Sequence, residues 1–272
     1  MVLSWTLAGA FGFLLALPMA GSLAAVSGWI GSNSPASILL QGTAFLLAGL
    51  LCTWLIGRKA TRLTWADLRW VGAGPRSWGA GFGFLAGGVA AAAALLLAVI
   101  LTATGWSRDV GGAAAYASSV GRTSLVLAPA ALAEEIAFRG VPLVLLARSF
   151  GRANALLITA VLFGLGHLAS PHVSALALGN IALAGLFLGL AFYLPGGIWT
   201  AFGAHLGWNL TLAALDAPVS GLPFPIPLLD FHARGPAWLT GGAFGPEGGV
   251  AATLALAVGS LYLTRRLRKE AA

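Results

Sequence analysis

Eight apolar stretches, each near the length that a bilayer demands, follow one another through this sequence and leave few folds open to it. A hydrocarbon core about 30 Å thick takes roughly 20 residues of helix at 1.5 Å per residue. Residues 3–26, 36–56, 78–104, 123–147, 152–169, 174–194, 197–215 and 248–264 approach that length. Composition points the same way: 8% of the 272 residues are charged, against about 25% in a soluble domain. In lipid a backbone must satisfy its own hydrogen bonds, and an apolar run does so as a helix. The expectation is an all-α, polytopic membrane protein of about eight transmembrane helices, with residues 1–272 forming one transmembrane domain.

Charge orients it. With the N-terminus inside, the inner connections and the tail hold Arg58, Lys59, Arg62, Arg69, Arg76, Arg148, Arg152, Arg265, Arg266, Arg268 and Lys269. The outer connections hold Arg108, Arg122 and Arg234. This positive-inside bias places both termini in the cytoplasm and accounts for the net charge of +7 without a polyanionic partner. The basic residues form no groove interleaved with aromatics, so nucleic acid is not an expected partner. No Lys or Arg precedes the first apolar stretch, which favours an uncleaved helix over a secretory signal. The lone Cys52 excludes disulfides and cysteine-rich zinc sites.

Between the stretches, residues 57–77 read as a basic inner-surface segment, either a short amphipathic helix with tryptophans at headgroup level or an ordinary loop. Residues 216–247, rich in Pro and Gly, read as an outer loop serving as lid or spacer. Gly79, Gly83 and Gly87, like Gly185 and Gly189, recur at every fourth position, a spacing that lets helices approach closely.

Ionisable residues inside the stretches are few: Glu134, Glu135 and Arg139 in AEEIAFRG, then His167, then His205. A mid-membrane charge costs about 2.5–3.5 kcal/mol on insertion scales, so partners or function must account for each. Glu135 and Arg139 are four residues apart, on one helical face, and are expected to pair. Glu134 is turned about 100° away and can address other helices. Phe163 and His167 share a face, as do His205 and Asn209. Counted from the inner helix ends, Glu134, His167 and His205 lie about 20, 22 and 12 Å deep. All three are therefore within the hydrocarbon layer, with His205 offset.

A carboxylate among apolar helices binds a proton more readily than it does in water, which suits a general base. Glu134 is the candidate. Two imidazoles facing it can orient a water or polarise a carbonyl, and Asn209 can donate to an oxyanion. The same Glu134, His167 and His205 could instead hold a zinc ion with an open position. Both readings stand at this level. Asn180 reads as a helix contact, His172 as a loop residue and Phe163 as packing.

The three spacings in order, Glu134-Glu135-x-x-x-Arg139, Phe163-x-x-x-His167 and His205-x-x-x-Asn209, resemble the signature motifs of the CAAX-processing and bacteriocin-processing (CPBP, or Abi) intramembrane endopeptidases. The resemblance covers about residues 130–210 within the expected core helices, 123–215. It implies an eight-helix fold and peptide-bond hydrolysis inside the bilayer. By motif position, Glu134 corresponds to the water-activating glutamate, and His167, His205 and Asn209 to the groups that hold the water or stabilise the oxyanion. Glu135, Arg139 and Phe163 correspond to supporting positions. The family is described both as metal-dependent and as a metal-free glutamate type, and the metal-free reading, with no required cofactor, is preferred. It also implies a membrane-associated or lipidated peptide substrate. A composition rich in Ala, Gly and Arg suggests a bacterial inner membrane.

Other intramembrane proteases are excluded, since HExxH, GxGD and GxSxG are all missing. The competing functions are an ion-coupled transporter or channel with the Glu/His cluster as proton relay, and a non-catalytic scaffold or immunity protein.

Overall fold

The computed structural model describes residues 34–71 and 76–271. The expected first crossing, 3–26, lies outside them. In chain order the described elements are α1 (Pro35–Cys52), running into a π-helical end (Thr53–Ala60), α2 (Arg76–Leu101), β1 (Gly105–Arg108), α3 (Ala113–Arg139), α4 (Val141–Leu165), α5 (Ala175–Tyr193), α6 (Ile198–Ala214), β2 (Leu229–His232), α7 (Ala237–Thr240) and α8 (Val250–Ala271). Four spans among the described residues are long and apolar enough to cross a membrane: Pro35–Ala60, Trp78–Leu101, Ala175–Tyr193 and Val250–Glu270. The helices that carry the three motifs fall outside that group. Their polar side chains dilute α3, and α6 has 17 residues.

Helix ends depart from the sequence reading around the first motif. One crossing was expected over 123–147, but α3 begins at Ala113 and stops at Arg139. Gly140 takes a non-helical ψ of −124°, Pro142 opens α4, and Gly151 (φ 79°) interrupts α4 again. Glycine and an N-terminal proline are the residues that permit such a break. His167, expected within a helix, stands in the turn just after α4. In the described part of 57–77 there is no amphipathic α-helix: the π-helical end gives way to turns, with Arg58 over Trp65 and Lys59 over Trp54.

The bundle is organised around α6, which packs on α2, α3 and α5. The α2–α6 contact is backbone on backbone. A Cβ placed on Gly83 or Gly87 would collide with the carbonyls of Thr200 or Ala204, and one on Gly203 or Gly207 with those of Ala80 or Phe84. Small residues at four-residue spacing thus set the interhelical distance, as the sequence pattern indicated. Gly87→Ala is expected to cost about 1–3 kcal/mol by overpacking, read as a lowered unfolding midpoint in detergent. Gly81→Ala on the same helix meets nothing within 4 Å and should leave the midpoint unchanged or raise it. Equal midpoints for both variants would refute this packing.

Two clamps fix the ends of the core. At one end Arg69 donates to the carbonyls of Phe192, Tyr193 and Leu194 at 2.9–3.0 Å, satisfying the C-terminus of α5. At the other, β1 and β2 pair antiparallel, Gly105 opposite His232. There Asp216 accepts from the backbone N–H of Ile226 and of Phe231, and Trp106 donates to the Leu215 carbonyl. The 216–249 connection is therefore tied down over the ends of α5 and α6.

Candidate active site

Glu135 and Arg139, both with no exposed side-chain surface, form the expected pair at 2.9 Å within the last turns of α3. The guanidinium also donates to the Gly185 carbonyl at 3.0 Å, which lies on α5. A Cβ at Gly185 would crowd Ala160 and Phe163, so the glycine lets α4 lie close to α5 there. Phe163 lies under Arg139, whose guanidinium carbon is 4.3 Å from the ring centroid. The same ring meets His167 and His205 at 5.0 and 5.9 Å. Phe163 thus packs between the ion pair and both imidazoles, more than the packing role read from sequence.

Glu135 has a second partner, which helix periodicity could not reveal. Its Oε1 accepts from His205 Nδ1 at 2.8 Å as well as from Arg139. His167 Nδ1 in turn donates to the Phe163 carbonyl at 2.9 Å. Because a carbonyl and a carboxylate can only accept, each imidazole carries a proton on Nδ1. The two Nε2 atoms are left for other work.

Both turn toward Glu134. His205 Nε2 stands 3.8 Å and His167 Nε2 4.0 Å from Glu134 Oε2. These gaps are too long for direct hydrogen bonds, yet one oxygen atom can bridge the carboxylate to an imidazole across them. Glu134 Oε2 is buried and has no hydrogen-bond partner among the described residues. An unpaired buried carboxylate oxygen is costly to maintain. Tetrahedral zinc at 2.0–2.1 Å brings its donors to about 3.4 Å of one another. Both imidazoles stand farther than that from Glu134 Oε2, at 3.8 and 4.0 Å, and among the described residues no group of three or more His, Cys, Asp or Glu is placed to hold a metal. As they stand, Glu134, His167 and His205 do not fit that ion.

Asn209, one turn beyond His205, lines a pocket together with His205, His167 and Phe163. All four residues expected to act, and the three expected to support them, are thus gathered in one region. Asn180 does more than join helices: its amide donates to the carbonyls of Glu247 and Gly249, and Thr253 donates to its oxygen. His172 remains a loop residue in the turn before α5, with a left-handed φ of 56°.

Sequence reasoning missed Glu247. Asn180 fixes the turn that carries it, and its carboxylate reaches the pocket, accepting from Trp208 Nε1 at 3.0 Å and from the backbone N–H and hydroxyl of Ser220. Burial pushes this carboxyl above its ordinary range, against the Ser220 and Trp208 hydrogen bonds that hold it down. The one sequence signal was an acid in a Gly/Pro frame, GPEGG, just before the last apolar stretch.

A carboxylate with an unpartnered oxygen, two oriented imidazoles and an amide thus lie together between apolar helices. Residues 117–211, which hold all three motifs, match the family described as Type II CAAX prenyl endopeptidase Rce1-like. Over this segment the chain is similar to the CAAX-processing (CPBP) endopeptidases, and the match together with the apolar helices supports an integral membrane protein. No curated protein and no solved structure matches the chain significantly.

Proposed function

We propose that the protein is an intramembrane endopeptidase of the glutamate type, in which Glu134 activates the attacking water. The observation that carries this is the convergence of His167 Nε2 and His205 Nε2 on the unpartnered Glu134 Oε2. Water held there donates one hydrogen to Glu134 and the other to an imidazole Nε2, which exposes an oxygen lone pair to a peptide carbonyl. As the C–O bond forms, Glu134 takes the proton. When the C–N bond breaks, Glu134 returns that proton to the leaving amine. With Nδ1 protonated and Nε2 accepting, neutral imidazoles hold the water, and the oxyanion falls to the Asn209 amide.

The substrate is a membrane-associated or lipidated peptide, and the bilayer is the working solvent. Both termini are assigned to the cytoplasmic side of a bacterial inner membrane. The test is cleavage of membrane peptides by purified protein in detergent, with fragments read by mass spectrometry. Asn209→Ala is expected to lower kcat by about 10²–10³, the usual loss for one oxyanion donor, with KM little changed. If no peptide is cut, and liposomes instead show a proton flux that Glu134→Gln abolishes, the cluster is a relay and the peptidase reading falls.

A further inference from the structure

Glu247 is not explained by the cleavage chemistry. Its side chain is nearly buried, 8% exposed, and it faces the same pocket as His167 and Asn209. Three donors reach it: one on Oε1 from Trp208, two on Oε2 from Ser220. A carboxylate offers about four acceptor sites, so one remains, on Oε1. Its charge also lacks compensation. Among the described residues no Lys or Arg pairs with it. A buried carboxylate without a cation is a position where a ligand's charge is worth most.

The surroundings define that ligand. Ile181, Ala184, Phe187, Leu188 and Leu256 wall the pocket with hydrocarbon. Its free volume is about 30 Å³, space for one or two waters, and therefore for the last methylene and head group of an unbranched chain. Apolar walls with a carboxylate at one end match a methylene stem that ends in a cation.

We propose that this pocket is a specificity subsite for a substrate side chain of the lysine type, with Glu247 as the counter-ion of its ammonium group. The subsite rests on the peptidase reading for its role in cleavage, though not for its ability to bind. Because the pocket is shared with His167 and Asn209, the selected residue lies beside the scissile bond. Trp208 and Ser220 position the carboxylate, and Asn180 holds the turn that bears it.

The test takes a membrane peptide that the protein cuts and replaces each residue flanking the cleaved bond, in turn, by lysine or by norleucine, its uncharged near-isostere. At one position wild-type protein is expected to favour lysine by about tenfold or more in kcat/KM, the usual value of a hydrogen bond to a charged group. In Glu247→Gln the ratio should fall to about one. Affinity of the same peptides for Glu134→Gln, measured by titration, should show the lysine preference without turnover. A ratio near one at every position in wild type overturns the subsite even if every peptide is cut, as does a preference that survives Glu247→Gln. Selective binding of lysine peptides with no cleavage by wild type keeps the subsite and overturns the peptidase. Should Glu247→Gln fail to fold, the wild-type ratio and the titration still decide.

Discussion

Glu134→Gln is expected to lower kcat by about 10²–10⁴, the range over which a positioned general base accelerates proton transfer, while the protein stays folded. The two halves of this expectation come from the same geometry. Glu134 Oε2 makes no hydrogen bond among the described residues, so the amide forfeits no contact there, and relief from an unpaired carboxylate offsets any loss. The unfolding midpoint should stay within the ±0.5 kcal/mol typical of substitutions away from structural partners. Glutamine retains the size and can still hold a water, so KM should change little. It cannot take the proton. Fragment analysis of the same membrane peptides, together with thermal unfolding, checks both halves. A variant that cuts as fast as wild type removes Glu134 from the chemistry and leaves its buried oxygen without a function.

What could be read beforehand follows the range of each interaction. The Glu135–Arg139 pair and the glycine stripes are consequences of helical periodicity, which is local, and they stand where the spacing put them. The meeting of Glu134 with two imidazoles is not local. Depth counting left His167 and His205 about 10 Å apart along the membrane normal, although each lies within 4.0 Å of the same carboxylate oxygen. That count assumed unbroken helices. Gly140 interrupts the helix between Glu134 and its assumed inner end, so the depth counted for Glu134 does not hold.

The bond from Glu135 to His205 was hidden for the same reason: it links helices 70 residues apart in sequence. Glu247 was further out of reach, because a Pro/Gly-rich connection carries no periodicity from which its path can be inferred. Asp216, β2 and Asn180 decide that path, and each acts across the fold.

The buried pair yields the second large effect. Arg139→Met should destabilise the protein by about 3–5 kcal/mol, since it strands Glu135 as an uncompensated charge with no exposed surface. It also takes a donor from the Gly185 carbonyl and a cation from the face of Phe163. Adding Glu135→Leu removes the stranded charge, and much of the stability should return, because a hydrophobic replacement of a buried ion pair is often close to neutral. Activity should not return with it. In the double variant His205 Nδ1 has no acceptor at 2.8 Å to fix its tautomer, so Nε2 no longer faces Glu134 as a committed hydrogen-bond acceptor. Stability recovered without turnover would separate the two tasks of Glu135, pairing with Arg139 and orienting His205. A double variant that is both stable and fully active would show that the imidazole needs no orienting partner. A single Arg139→Met variant within about 1 kcal/mol of wild type would show that the charge is neutralised some other way, against the 3–5 kcal/mol expected for a broken buried pair.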